Sequence, residues 1–206
     1  MSPVIRSKVH REHRATYFCV DIECNGPVPG LYAMVSLAAV VVAPDDSGHL
    51  TVGECLYLEL RPDAPRHDAR AAAIHGLDQD RLAREGLERA DFCTKLAEWV
   101  KEQTVDGTEP VFVGHNAPFD WSFVAWTYAD VQQPNPFGYK ALCTKAMATG
   151  VLGVHWLDSN KEVLAQLLPI SSEDLTQKHR ADYDAIYQAE ILVALLDRQA
   201  QGSEGT

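Results

Sequence analysis

The sequence predicts an α/β domain: a mixed five-stranded sheet, three antiparallel strands and then parallel additions, flanked by helices. Three observations lead there. Strand-like segments at about 15–23, 33–43 and 52–61 come first, with no helix between them. Helical periodicity then alternates with two shorter strand-like runs, 111–113 and 139–143. At 206 residues, 46% hydrophobic and 23% charged, the chain has the length and apolar content for one ordinary core.

Each element has its own signal. In the first strand Phe18, Val20 and Ile22 alternate with Tyr17, Cys19, Asp21 and Glu23. The turn residues Pro44-Asp45-Asp46-Ser47-Gly48 make the second and third strands a hairpin. Helices are expected near 66–75, 78–84 and 90–104, the last with a core stripe of Phe92, Leu96, Trp99 and Val100. Pro118 suits the first turn of a helix over 118–131, and 132–138 is a break. Helices near 144–150 and 160–167 and a turn around Pro169 precede a last helix from Ala181 to about Arg198. The organisation is one domain over 15–200, with a flexible basic arm at 1–14 and a disordered tail at 201–206.

Composition excludes several classes. A net charge of −11 argues against a protein coated by long nucleic acid, though not against one that grips a few terminal nucleotides. The arm carries Arg6, Lys8, Arg11 and Arg14 and reads as a frayed terminus, with phosphate contact as the other reading. The apolar stretch from Leu31 to Ala43 is interrupted by Ser36 and too short to span a bilayer, and the opening residues show no secretory pattern. Cysteines 19, 24, 55, 93 and 143 form no C-x-x-C pair and read as reduced thiols of a cytoplasmic protein.

The chemistry lies in acids at the edges of apolar segments. Asp21 and Glu23, two apart on a strand, project from one face, where like charges repel and a divalent cation would remove the conflict. Asp120 shares a helical stripe with Phe123, Val124, Thr127 and Val131, and Asp184 shares one with Tyr187, Ile191 and Leu195. Both acids therefore point inward in an early helical turn. His179 precedes the last helix and should lie in the loop over the same cleft, where an imidazole suits a general base. Tyr139, His155 and Trp156 are candidates for stacking on a base, with plain packing as the blander reading.

These residues resemble the DEDDh 3′→5′ exonucleases, the family of replicative proofreading subunits, oligoribonuclease and RNase T. Asp21-Ile22-Glu23 is similar to the first family motif, His115-Asn116-Ala117-Pro118-Phe119-Asp120 to the second, and His179-Arg180-Ala181-Asp182-Tyr183-Asp184-Ala185 to the third. Ile74-His75-Gly76-Leu77 echoes a weaker marker. The motifs fall in family order from Tyr17 to about Leu196. The resemblance implies an RNase H-like fold and hydrolysis of phosphodiester bonds with two divalent cations, Mg²⁺ or Mn²⁺, releasing nucleoside 5′-monophosphates from 3′ ends of single-stranded DNA or RNA. It implies that Asp21 bridges both metals, that Glu23 and Asp184 complete the first site, that Asp120 supports the second, and that His179 is the base. It also implies substrate contacts at Cys24, Asn25, His115, Asn116 and Phe119. Relatives that act alone are often dimers, so a homodimer stays open. The family's first motif often continues Thr-Gly; here Cys24-Asn25-Gly26 follows, with a long turn through Gly30, a departure at the place where the terminal nucleotide is expected. An RNA-preferring oligoribonuclease-like or RNase T-like enzyme, and an accessory nucleic-acid-binding subunit of a polymerase or repair complex, are the competing readings.

Overall fold

Hydrophobic alternation builds the sheet. The structure, a computed structural model, describes residues 14–204. The strands are β1 (Ala15–Cys24), β2 (Met34–Pro44), β3 (Leu50–Glu59), β4 (Glu109–Gly114) and β5 (Ala141–Cys143), in the spatial order β3-β2-β1-β4-β5. β1 pairs antiparallel with β2 and β2 with β3, whereas β4 lies parallel to β1 and β5 parallel to β4. The mixed five-stranded sheet is the expected one. β1 at its centre is covered on both faces, which is why its run contains so few polar residues.

Among the described residues, seven α-helices flank the sheet: α1 (Ala69–His75), α2 (Gln79–Glu85), α3 (Arg89–Gln103), α4 (Pro118–Asp130), α5 (Thr144–Leu152), α6 (Lys161–Leu167) and α7 (Ala181–Glu204), with a 3₁₀ turn at Trp156–Asp158. On one face Phe18, Val20 and Ile22 of β1 pack with Phe92 and Leu96 of α3 and Phe123 and Val124 of α4. On the other, Cys19, Ala38, Val40 and Val113 meet Ala181, Ala185, Ala189 and Leu192 of α7. Alanines at every fourth position let α7 lie close against the strands. The opposite side of α7, through Tyr187, Ile191 and Leu195, buries against Ala148 of α5 and Leu164 of α6.

Several boundaries move. α1 starts at Ala69 rather than near 66, because the Asp68 carboxylate accepts the Arg70 N–H and caps the helix there. β5 is three residues long, and Tyr139, expected inside it, is a highly exposed turn residue. α7 runs to Glu204, so the first four residues of the expected tail are helical; Gln199, Ala200 and Gln201 are strong helix formers that carry the helix past Arg198. Residues 205–206 and the basic arm through residue 13 lie outside the described residues. Arg14 is fixed, its carbonyl accepting the Glu109 N–H at 3.0 Å.

Candidate active site

Alternation on β1 sets the first two acids. Asp21 and Glu23 point to the α7 side of the sheet, and the β1–β2 register shifts immediately after Glu23. α7 brings Asp184 in from above, 4% exposed. Ligand oxygens of Asp21, Glu23 and Asp184 all lie within 4.8 Å of one another, a spacing one divalent cation can span. Asp120, 6% exposed in the first turn of α4, lines the same cleft, and its Oδ1 accepts the Ile22 N–H at 3.2 Å. Gly114 permits this approach of α4: a Cβ there would stand 2.9 Å from Ala117 Cα and 3.4 Å from Asp120 Oδ2. The sheet and two helices thus bring all four acids to one cleft of about 440 Å³, lined also by His115, Asn116, Phe119, Lys145, Trp156, Lys161, Lys178 and His179.

His179 sits in the loop entering α7, exposed, as its position five residues before Asp184 implied. Its φ of 66° is left-handed, uncommon for a side-chain-bearing residue. That conformation lets its N–H donate to Asp184 Oδ2 at 2.8 Å, so the loop and the acid are tied together. Asn116 is left-handed as well, at 76°, a conformation asparagine tolerates.

Crowded acids with little solvent should resist ionising. Burial first, then the charges of Asp120 and Asp184, hold Asp21 well above the usual carboxylate range. Burial, Asp184 and Asp120 push Glu23 up to about 8, and burial lifts Asp120 to about 7. The Lys161 ammonium is ion-paired with Asp184 Oδ1 and eases this repulsion in part. A set of hard oxygen donors short of positive charge fits divalent metal ions.

These shifts give a testable pH dependence. A carboxyl raised on folding binds more protons folded than unfolded, so stability falls as pH rises between its ordinary and raised values. For Glu23 that window runs from 4.5 to about 8. His115 acts oppositely below its ordinary 6.5, since burial and the nearby Lys161 and Lys145 push it down to about 3. In chelator, the melting temperature should therefore decline from about pH 6.5 to about pH 8. Saturating Mn²⁺ should flatten that decline; equal slopes with and without metal would contradict this electrostatic account.

The expected substrate residues divide. Phe119 packs on Phe123, with ring centroids 5.4 Å apart, and forms part of the cleft wall with Asn116. The His115 ring is held by Thr144, Nδ1 to Oγ1 2.9 Å. Cys24 is half-buried against the apolar core, and burial raises its thiol to about 11. Asn25 is 2% exposed and is not among the residues that line the cleft. Its Nδ2 donates to Gln79 at 2.7 Å and its Oδ1 faces His75 Nε2 at 3.2 Å, pinning α1 and α2 to the end of β1. Asn25→Ala should cost about 1–3 kcal/mol, by stranding those partners, in a denaturant unfolding measurement. Of the stacking candidates, Trp156 lines the cleft, with Lys145 Nζ 4.8 Å from its ring centre. Tyr139 lies beside the β5 edge instead, and His155 caps the 3₁₀ turn.

Gln188 was not anticipated. It is 1% exposed, donates from Nε2 to Asp21 Oδ1 at 2.6 Å, and accepts the His115 N–H at 3.0 Å. It thereby fixes one acid to the second motif. Its signal in the sequence was a polar residue one turn after Asp184 on the buried side of α7.

A family model described as Exonuclease, RNase_T, matches residues 18–192. The chain belongs to the RNase T exonuclease family. As a DEDDh-class 3′→5′ exonuclease it is a hydrolase of a divalent-metal-dependent family. Over 192 residues, 93% of this exonuclease and 96% of the relative, it is 33% identical to the 3′-5′ DNA exonuclease Cap18 of Escherichia coli. It is 31% identical to Ribonuclease T of Marinobacter nauticus, over 87% of this chain and 81% of that one. Among solved structures, the nuclease domain of 3′hExo, a DEDDh family member bound to rAMP, superposes with a TM-score of 0.70 at 14% identity, covering 89% and 91% of the two chains. E. coli Exonuclease I in complex with a dT13 oligonucleotide gives 0.67 at 18% identity, covering 92% of this chain and 43% of that one. At those identities the structures speak for the fold alone, which is RNase H-like. Among the described residues, no helix is long and apolar enough to cross a membrane.

Proposed function

We propose that this exonuclease removes nucleotides from the 3′ end of single-stranded DNA, releasing nucleoside 5′-monophosphates with two divalent cations, Mg²⁺ or Mn²⁺. The convergence of Asp21, Glu23 and Asp184 within 4.8 Å, with Asp120 in the same cleft and His179 at its rim, carries the reading. The likeness to the Cap18 DNA exonuclease over nearly the whole of both chains favours DNA.

Asp21 would bridge the two ions, Glu23 and Asp184 would complete the first site, and Asp120 would support the second through the oxygen not used by Ile22. Bound there, the ions would supply a hydroxide nucleophile near neutral pH and stabilise the leaving 3′-oxygen. His179, exposed at the rim and tethered by its own N–H to Asp184, takes the proton of the attacking water. Gln188 keeps Asp21 oriented. Phe119 and Trp156 offer apolar faces to the terminal bases, and Asn116 offers an exposed amide. The five cysteines are unpaired, which supports a reducing, cytoplasmic setting. A homodimer belongs to the same reading, and sedimentation in solution measures it.

RNA is the second reading, supported by the Ribonuclease T relatives. The test uses single strands of DNA and RNA of one sequence, labelled at either end, with Mn²⁺ or Mg²⁺ or chelator. Metal-dependent release of mononucleotides from the 3′ end, faster on DNA, is expected. Faster release from RNA would transfer the substrate assignment. Release of internal fragments alone would defeat the exonuclease reading.

A further inference from the structure

Two lysines that line the cleft, Lys161 and Lys178, and the Glu173 carboxylate behind them have no part in the catalytic steps above. Glu173, in the connection between α6 and α7, has a side chain only 2% exposed. Among the described residues neither of its carboxylate oxygens accepts a hydrogen bond within normal limits. It is balanced by two ammonium groups instead, Lys161 Nζ at 3.5 Å from Oε1 and Lys178 Nζ at 3.3 Å from Oε2. A buried carboxylate held this way is a weak source of stability, because its desolvation offsets most of the attraction. What it does achieve is geometric. Two flexible lysines that would repel each other are fixed side by side on the wall that faces Asp21, Glu23 and His179.

Donor counting shows what is left over. An ammonium has three N–H donors. Lys161 contacts Glu173 and Asp184, and Lys178 contacts Glu173 and Glu162. Each ammonium hydrogen-bonds one carboxylate, Asp184 for Lys161 and Glu162 for Lys178, and its contact with Glu173 is an ion pair, so donors remain for a phosphate in the cleft that both residues line. Lys161 also stands on an Asp184 oxygen that a divalent ion would claim, after which Glu173 would be its remaining carboxylate partner. The cleft as a whole is acidic, and a phosphodiester entering it needs fixed positive groups besides bound metal.

We propose that Glu173 is a buried anchor that positions Lys161 and Lys178 as a two-ammonium clamp for a phosphate of the substrate's 3′-terminal nucleotide. The proposal rests on the reading of the substrate as a nucleic-acid strand. Glu173 is a positioning residue; the lysines make the contact.

The experiment compares calorimetric binding of adenosine 5′-monophosphate and of adenosine, each as ribose and 2′-deoxy form, in Mn²⁺. Wild type, Lys161→Met, Lys178→Met and Glu173→Gln are titrated, with Mn²⁺ affinity measured separately. Each lysine variant should lose on the order of 10-fold in monophosphate affinity, the worth of one charge-assisted bond. Glu173→Gln should lose as much without removing any phosphate ligand. Adenosine affinity should stay unchanged throughout, and on oligonucleotides KM should rise more than kcat falls. Monophosphate affinity equal to wild type in Lys161→Met and Lys178→Met would overturn the clamp. So would a parallel loss for adenosine, which marks general damage to the site. Should Glu173→Gln fail to fold, the two lysine variants decide alone. An active wild type with unaltered variants sinks the clamp only; a wild type that degrades no strand sinks the exonuclease reading as well.

Discussion

Asp21→Asn should leave a folded protein that has lost nearly all its exonuclease activity. Asparagine matches aspartate in shape, and its amide oxygen can still accept the Gln188 N–H now at 2.6 Å from Asp21 Oδ1. What disappears is the charge at the position proposed to bridge the two metal ions. Metal ions contribute several kcal/mol of charge stabilisation, so the expected fall is roughly 10³-fold or more. A second readout moves the other way. Burial and the charges of Asp120, Asp184 and Glu23 disfavour ionised Asp21, so removing that charge should raise the melting temperature in chelator. Mononucleotide release and thermal unfolding, measured on one preparation, check both halves. Wild-type turnover in the variant would refute the site assignment.

His179→Ala should slow turnover by roughly 10²–10⁴-fold, the usual worth of a positioned general base. The loss must be separated from backbone strain, because an alanine at φ 66° meets the left-handed penalty of about 1–2 kcal/mol. His179→Gly removes the imidazole without that penalty and keeps the N–H that binds Asp184. Both variants should show the same deficit in single-turnover rates with Mn²⁺. The deficit should narrow as pH rises, because hydroxide from solution replaces the missing base. Full activity in the glycine variant would show that the imidazole is not the base.

Much of this site was legible because periodicity reports burial. The alternation of β1 placed Asp21 and Glu23 on one face, and the helical stripes of α4 and α7 turned Asp120 and Asp184 inward; all four line the cleft. His179 was legible as a loop residue because a spacing of five does not repeat on a helix. Other surroundings were not legible, for a different reason. Asn25 follows directly on the first acidic motif, and no local pattern reveals that α1 and α2 fold back to occupy both ends of its amide. Glu173 lies in a polar connection without periodicity, and its burial arises from α6 and α7 packing around it. Lys161, at the first position of a short helix, carries no periodic signal of its own for the same reason. In the sheet the paired strands were clear, whereas the extent of β5 depended on contacts with β4 that three residues of sequence do not encode.

The alanines at 181, 185 and 189 have a consequence beyond packing. Asp184 and Gln188 ride on the same helix, each beside one of these methyl groups. The height of α7 above β1 is therefore also the separation between the acid it carries and the two on the strand. The smallest side chains in the interior act as the calliper of the cleft: a methyl's width, rather than any ligand, decides how large an ion the three carboxylates can close around.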